Sequence, residues 1–196
     1  GFTSQAASEQ PEVTTITETK KEDANTHTAV QTISQSIVAS AQEMTDASQQ
    51  VIAENIAKKE EEERIAREKA EQEAREQAER EAREAYVRAN QELMASIIYC
   101  EAGNQPYEGQ VAVGAVIMNR VKSGSYPDSL EAVIYQSGQF GPAATGWLNR
   151  VRSSKGYSQT ALQAAVDALN GSNPIGNCLY FDQGGSGMKI GAHYFH

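Results

Sequence analysis

Residues 99–121 read Tyr-Cys-Glu-Ala-Gly-Asn-Gln-Pro-Tyr-Glu-Gly-Gln-Val-Ala-Val-Gly-Ala-Val-Ile-Met-Asn-Arg-Val, and they set the architecture of the C-terminal half of the chain. Segment 92–102 predicts a helix that stops at Gly103, a residue favoured just past a helix C-terminus. Pro106 falls in the first turn of a second helix, where its missing N–H costs little. Val111, Val113, Val116, Ile117, Met118 and Val121 leave that helix almost no polar face, so it is expected to be the central core helix. Asn119 and Arg120 are its polar exceptions, readable as cleft residues or as a cap at the core edge. Glu101 sits in the last turn of the first helix, at the negative end of the helix dipole and close to Ile97, Ile98 and Tyr99. Both effects disfavour a charged carboxylate and push its pKa up, which suits a general acid. A frayed, solvated helix end would give the same residue no such role.

Outward from this core, Asp128 and Glu131 form a capping-box pattern ahead of Leu130, Val133 and Ile134. Thr160 and Gln163 repeat it for a helix over 161–169, whose buried stripe is Leu162, Ala165, Val166 and Leu169 and whose Asp167 points away. Residues 141–156 read as a loop. Leu179–Asp182 and Lys189–Phe195, separated by a Gly-rich stretch, read as a hairpin.

The N-terminal half has a different composition. Residues 1–92 carry 11 Lys/Arg against 20 Asp/Glu, whereas residues 93–196 carry 6 of each, so the net charge of −9 belongs to the first part. Residues 1–28, rich in Thr, Ser, Gln and Glu, are expected to be a disordered leader. Residues 29–57 hold a weak heptad seam (Val30, Ile33, Ile37, Met44, Ala47, Val51), interrupted by Ser40 and Glu54. Residues 58–92 are nearly all Ala, Glu, Lys, Arg and Gln, with i,i+4 pairs such as Glu60/Arg64 and Glu79/Arg83, and predict a solvated single-helix spacer. A protein partner or self-association is expected through this helical arm. The neutral C-terminal half has no basic patch for nucleic acid. No apolar run reaches the length of a membrane span. The chain opens on Gly1 rather than Met, which fits a removed secretion signal or a trimmed chain.

The motif Tyr99-Cys-Glu-Ala-Gly-x-x-Pro-Tyr-Glu-Gly-Gln-Val-Ala-Val-x-Ala-Val-x-x-Asn-Arg-Val121 resembles the signature of the SleB-type cell-wall hydrolases. Further matches follow in order at Pro127–Phe140, Ala164–Gly171, Leu179-Tyr180-Phe181 and Ile190-Gly191-x-His193-x-Phe195, so the resemblance spans residues 93–196. It implies an α+β, mainly α fold: a small lysozyme-like domain with a short β-hairpin, here preceded by the long charged helix and the disordered segment. It also implies cleavage of peptidoglycan glycan strands, generally by lytic transglycosylases, with Glu101 as the catalytic Glu and no cofactor. A secreted or cell-wall location follows, spore cortex included. Gly141 departs from the family, which often has a hydroxyl residue after Gln-Phe, and the stretch before Thr160 is short.

A glycosidase normally uses two carboxylates. The remaining candidates are Glu108, already favourable in a first helical turn, and Asp182, at a turn position. A one-carboxylate mechanism is the more economical reading. Sugar rings call for aromatics beside amides, and the expected substrate-binding residues are Gln139, Phe140, Gln136, Tyr180, His193 and Glu108. His193 and His196, three apart with no third ligand, make no convincing metal site. Cys100 and Cys178 are expected to form one disulfide, on the grounds of a paired count in a secreted domain.

Overall fold

The computed structural model describes residues 1, 3 and 13–196, with side chains for residues 1, 3 and 23–196. Helix α1 runs Val13–Ala102. It begins inside the segment expected to be disordered, so residues 13–28 are helical; the expectation for residues 2 and 4–12 concerns residues outside those described. Thr28 donates to the Ala24 carbonyl and Thr32 to that of Thr28, so these hydroxyls back-bond along the helix.

The chain divides into two units, Gly1–Glu71 and Gln72–His196. In the first, Val30, Ile33, Ile37, Met44 and Val51 are all more than half exposed. Arg64 pairs with Glu61 and with Glu68, each at 2.5 Å, rather than with Glu60. Gln42→Asp46 and Gln50→Glu54 hydrogen bonds add further i,i+4 links.

The second unit contains the 72–102 part of α1, then α2 (Tyr107–Lys122), α3 (Leu130–Ile134), α4 (Gly141–Thr145), α5 (Trp147–Ser154) and α6 (Gln159–Leu169). Strands β1 (Phe181–Asp182), β2 (Met188–Ile190) and β3 (His193–Phe195) follow, in sheet order β1-β3-β2. The mainly helical fold with a small sheet is the expected one. Its core is built from Met94, Ile97 and Ile98 of α1, Val113, Val116 and Ile117 of α2, Ile134, Leu148 and Phe195, all fully buried. As its composition requires, α2 is buried without a break from Gly109 to Ile117. Gly114 allows α6 to approach: a Cβ there would stand 2.7 Å from that of Ala168 and 3.1 Å from Ile98 Cδ1.

The core starts earlier than residue 93. Val87 is buried in it, and the Tyr86 hydroxyl lies 4.0 Å from Met118 Sδ. Val87 and Met94 are seven residues apart and share a helical face, so the charged run hides the first apolar residues of the domain.

Three local readings need correction. The cap of α3 is Ser129, bonded to Ala132 N, not Asp128; that of α6 is Ser158, bonded to Ala161 N, not Thr160. Serine caps as well as those residues do, and the chain enters each helix earlier or later than the box pattern suggests. The 141–156 stretch is not a loop but two short helices. Gly146 breaks them at φ +81°, and Leu148 and Val151 bury one side of the second. The anticipated second strand is two strands, turning at Gly191-Ala192, where Ile190 pairs with His193. Gly191 has φ +61°, and a Cβ there would meet Gln105 Oε1 at 2.5 Å, so glycine is required at this two-residue turn.

Candidate active site

Glu101 lies in the last turn of α1, half-buried, one turn beyond Ile97 and Ile98, which have no exposed surface. Burial raises its carboxyl pKa above the ordinary 4.5. No hydrogen bond or ion pair reaches its carboxylate from the described residues. The other carboxylates of this unit's globular part lie in different settings. Glu131 pairs with Arg152 at 3.3 Å, and Asp167 accepts from Tyr107 and Gln163. Asp182 pairs with His196 at 2.9 Å, which holds its pKa below the usual range. Glu108 and Asp128 are exposed. Among the described residues of this globular part, Glu101 alone combines partial burial with a carboxylate that has no hydrogen-bond or ion-pair partner.

The connection after Glu101 is fixed. Gly103 N donates to the Tyr99 carbonyl, and Gln105 N to that of Ala102. Gln105 Oε1 accepts from Ala192 N at 2.8 Å, and the Gln105 carbonyl accepts from Gln110 Nε2 at 3.0 Å. The β2–β3 turn is thus tied to the loop that follows the carboxylate.

Glu108 lies in the first turn of α2 and His193 follows the turn tied to Gln105, whereas other predicted binding residues gather elsewhere. Gln139 and Tyr180 meet at Arg120, on the C-terminal end of α2. That is on the order of 20 Å along the helix from the end beside Glu101. Arg120 is buried; its Nε donates to the Leu179 carbonyl at 2.8 Å and its Nη1 to Gln139 Oε1 at 3.1 Å. Its guanidinium lies 5.1, 5.4 and 5.5 Å from the ring centroids of Tyr126, Phe140 and Tyr180. Phe140 is buried against Phe181, and His193 is buried edge-on to Phe181 and Phe195. Phe140 and His193 are thus enclosed by their neighbours, with little surface left open. Burial lowers the His193 pKa, and its Nδ1 has no hydrogen-bond partner among the described residues. Gln136 is half-buried with Oε1 unpartnered, while Gln139 and Tyr180 remain exposed. Asn119 donates to the Gly176 and Cys178 carbonyls, so Asn119 and Arg120 together pin the segment leading into β1.

Cys100 and Cys178 are free thiols, not a disulfide. The Cys178 carbonyl is held by Asn119 near the C-terminal end of α2. Burial and the nearby Glu101 charge push the Cys100 thiol up to about 11.

Trp147, which the sequence did not single out, is 40% exposed. With Tyr99, Cys100, Gly103 and Asn104 it lines a cavity of about 360 Å³. The one available signal was the chain's single tryptophan in a stretch otherwise resembling a polar loop.

A helix-borne, desolvated carboxylate in a small helical domain agrees with what the sequence comparisons find. Residues 104–195 match the cell wall hydrolase family, and the chain belongs to it. Glu101 lies three residues before the matched segment. The spore cortex-lytic enzyme of Oceanobacillus iheyensis is 39% identical over 123 residues, 56% of this chain and 42% of that protein. The spore cortex-lytic enzyme of Bacillus subtilis is 39% identical over 89 residues, 45% of this chain and 28% of that one. The chain therefore spans less than half the length of these relatives. Among solved structures, the catalytic domain of the germination-specific lytic transglycosylase SleB from Bacillus anthracis is 37% identical. The alignment covers 54% of this chain and 92% of that one, with a TM-score of 0.48. The catalytic domain of the Bacillus cereus SleB protein is 36% identical over 56% of this chain and 91% of that one, with a TM-score of 0.49.

Proposed function

We propose that this protein cleaves peptidoglycan glycan strands between N-acetylmuramic acid and N-acetylglucosamine as a lytic transglycosylase, at the bacterial cell wall or spore cortex. The observation that supports this reading is the half-buried carboxyl of Glu101, raised by burial and without a hydrogen-bond or ion-pair partner among the described residues. Glu101, protonated, donates to the bridging oxygen as the bond from that oxygen to the muramoyl anomeric carbon breaks. The resulting carboxylate then takes the proton of the muramoyl primary hydroxyl as its oxygen closes onto the anomeric carbon. The product is an anhydromuramoyl end, no water is consumed, and Glu101 returns to its starting state. Mass spectrometry of digested strands is expected to find ends lighter by one water than reducing ends. Reducing muramoyl ends would point instead to a two-carboxylate hydrolase, and strands bound but uncut to a wall-binding protein.

The exposed apolar stripe of the first unit supports self-association through α1, and its charged continuation supports a spacer role. In analytical ultracentrifugation the full chain is expected to sediment as an oligomer. A chain beginning at Gln72, which keeps Tyr86 and Val87, should be monomeric, folded and active on soluble glycan. A monomeric full chain would remove the self-association role. Marked activation on truncation would replace the spacer by an inhibitory arm.

A further inference from the structure

We propose that the exposed face of α5 is an exosite, separate from the cleavage chemistry, for the acidic peptide stems that peptidoglycan carries on its muramoyl residues. The proposal rests on the reading of peptidoglycan as substrate and adds the part of the wall that holds the protein. Asn149, Arg150, Ser153 and Ser154 are all exposed and line a shallow groove of about 590 Å³. Its surroundings are cationic in an acidic chain: residues 132–166 contain Arg150, Arg152 and Lys155 and no Asp or Glu, against a net charge of −9. Two of these cations are paired, Arg152 with Glu131 and Lys155 with Glu92, each at 3.3 Å. The Arg150 guanidinium has no hydrogen-bond or ion-pair partner among the described residues. A free guanidinium fork is matched by a carboxylate, which it can bind through two parallel N–H···O bonds.

The neighbours of Arg150 select a peptide over a plain anion. Arg152 donates to the Tyr135 hydroxyl at 3.4 Å, and that hydroxyl donates to Asn149 Oδ1 at 2.6 Å, so the amide is fixed and its Nδ2 is left to donate. Ser153 and Ser154 donate to the Asn149 and Arg150 carbonyls, both at 2.7 Å. Their hydroxyl protons are committed, and only their oxygen lone pairs remain on offer. A phosphodiester polymer has no N–H to give them, whereas a peptide has backbone amides as well as carboxylates. The groove also lies away from Glu101. Trp147 of α5 shares a cavity with Tyr99 and Gly103, and Lys155, just past α5, meets Glu92. Glu92, Tyr99 and Gly103 lie on one face of α1, while Glu101, two residues from Tyr99 and from Gly103, is turned roughly halfway around the helix. Stems held on α5 therefore do not compete for the carboxyl.

Full-length Glu101→Gln protein is expected to bind intact sacculi about tenfold more tightly than sacculi whose stems an amidase has removed, the scale of a charge-assisted contact. Arg150→Glu in the same background should erase that difference, because it sets a carboxylate against the stem carboxylates. Arg150→Gln, which keeps the length of the side chain without its charge, should erase most of it and keeps the test decisive if the glutamate variant fails to fold. Added salt should weaken the stem-dependent part of binding and leave the remainder. Equal retention with and without stems, or stem-dependent retention surviving in both variants, would overturn the exosite. Retention lost on stripping wall-bound phosphate polymers, with the stems left in place, would overturn it as well by assigning Arg150 to phosphate. The cleavage reading is judged separately, by the ends that the unmutated protein leaves on its strands. Uncut strands would end that reading, and stem-dependent retention would still keep the exosite.

Discussion

Glu101→Gln is expected to lower glycan cleavage by about 10²–10⁴-fold, the range that a positioned general acid contributes, and at the same time to make the protein more stable at neutral pH. The two effects have one cause. The folded-state carboxyl pKa is raised above 4.5 by burial, so the native state holds this proton more tightly than the unfolded chain does. As pH rises from 4.5 through the folded-state value, the unfolded state loses its proton first and is favoured. Above that value the desolvation cost is fully present, and Gln removes it. A gain of about 1 kcal/mol, a usual size for relieving strain at a functional site, would appear as a few degrees in Tm at pH 7. Melts at pH 4 should show little difference between the two proteins, because both side chains are then neutral. A variant that is inactive but less stable at pH 7 would mean that Glu101 makes a stabilising contact, and the free-carboxylate basis of the mechanism would fail. Substantial turnover by the variant would remove Glu101 from the reaction.

Much of this domain was legible because its core elements satisfy several rules at once. The helix α2 has no polar face to hide, Pro106 marks its start, and Gly103 marks the end of α1. Gly103 has a further reason that a sequence cannot display: its hydrogen lies where a Cβ would strike the Tyr99 carbonyl. The errors share a different origin. Short helices such as α4 and α5 bury too few residues to show a period, and Gly141, Pro142 and Gly146 look like loop punctuation. The cysteine pairing rested on a count, whereas pairing is decided by geometry, and both thiols are free. The binding residues were drawn from motifs in which structural and functional positions look alike. Phe140 and His193 are buried, while exposed Trp147 lies in the stretch where the chain departs from the family pattern. Only the fold could show which of these aromatic side chains are enclosed and which stay exposed.

Arg120 illustrates how a polar residue can be indispensable without meeting a substrate. Its charge is buried with no carboxylate partner, and it is held by two hydrogen bonds and three aromatic rings. Such an arrangement stands only if every donor and ring stays in place, since a buried cation is otherwise costly. Arg120→Ala would leave the Leu179 carbonyl and the Gln139 side chain without their donors and open a cavity between Tyr126, Phe140 and Tyr180. Lost hydrogen bonds to a charged group, lost cation–π contacts and the cavity together predict a loss of about 3 kcal/mol. For a domain of this size that is a fall of about 15 °C in Tm. Arg120→Lys should recover less than half of it, because an ammonium on a flexible stem cannot bond the Leu179 carbonyl and Gln139 at once while lying flat against three rings. Near-full recovery by lysine would show that charge alone matters. A Tm within two degrees of the parent for Arg120→Ala would mean that the aromatic rings close over the gap unaided, and that the segment entering β1 is held by Asn119 instead.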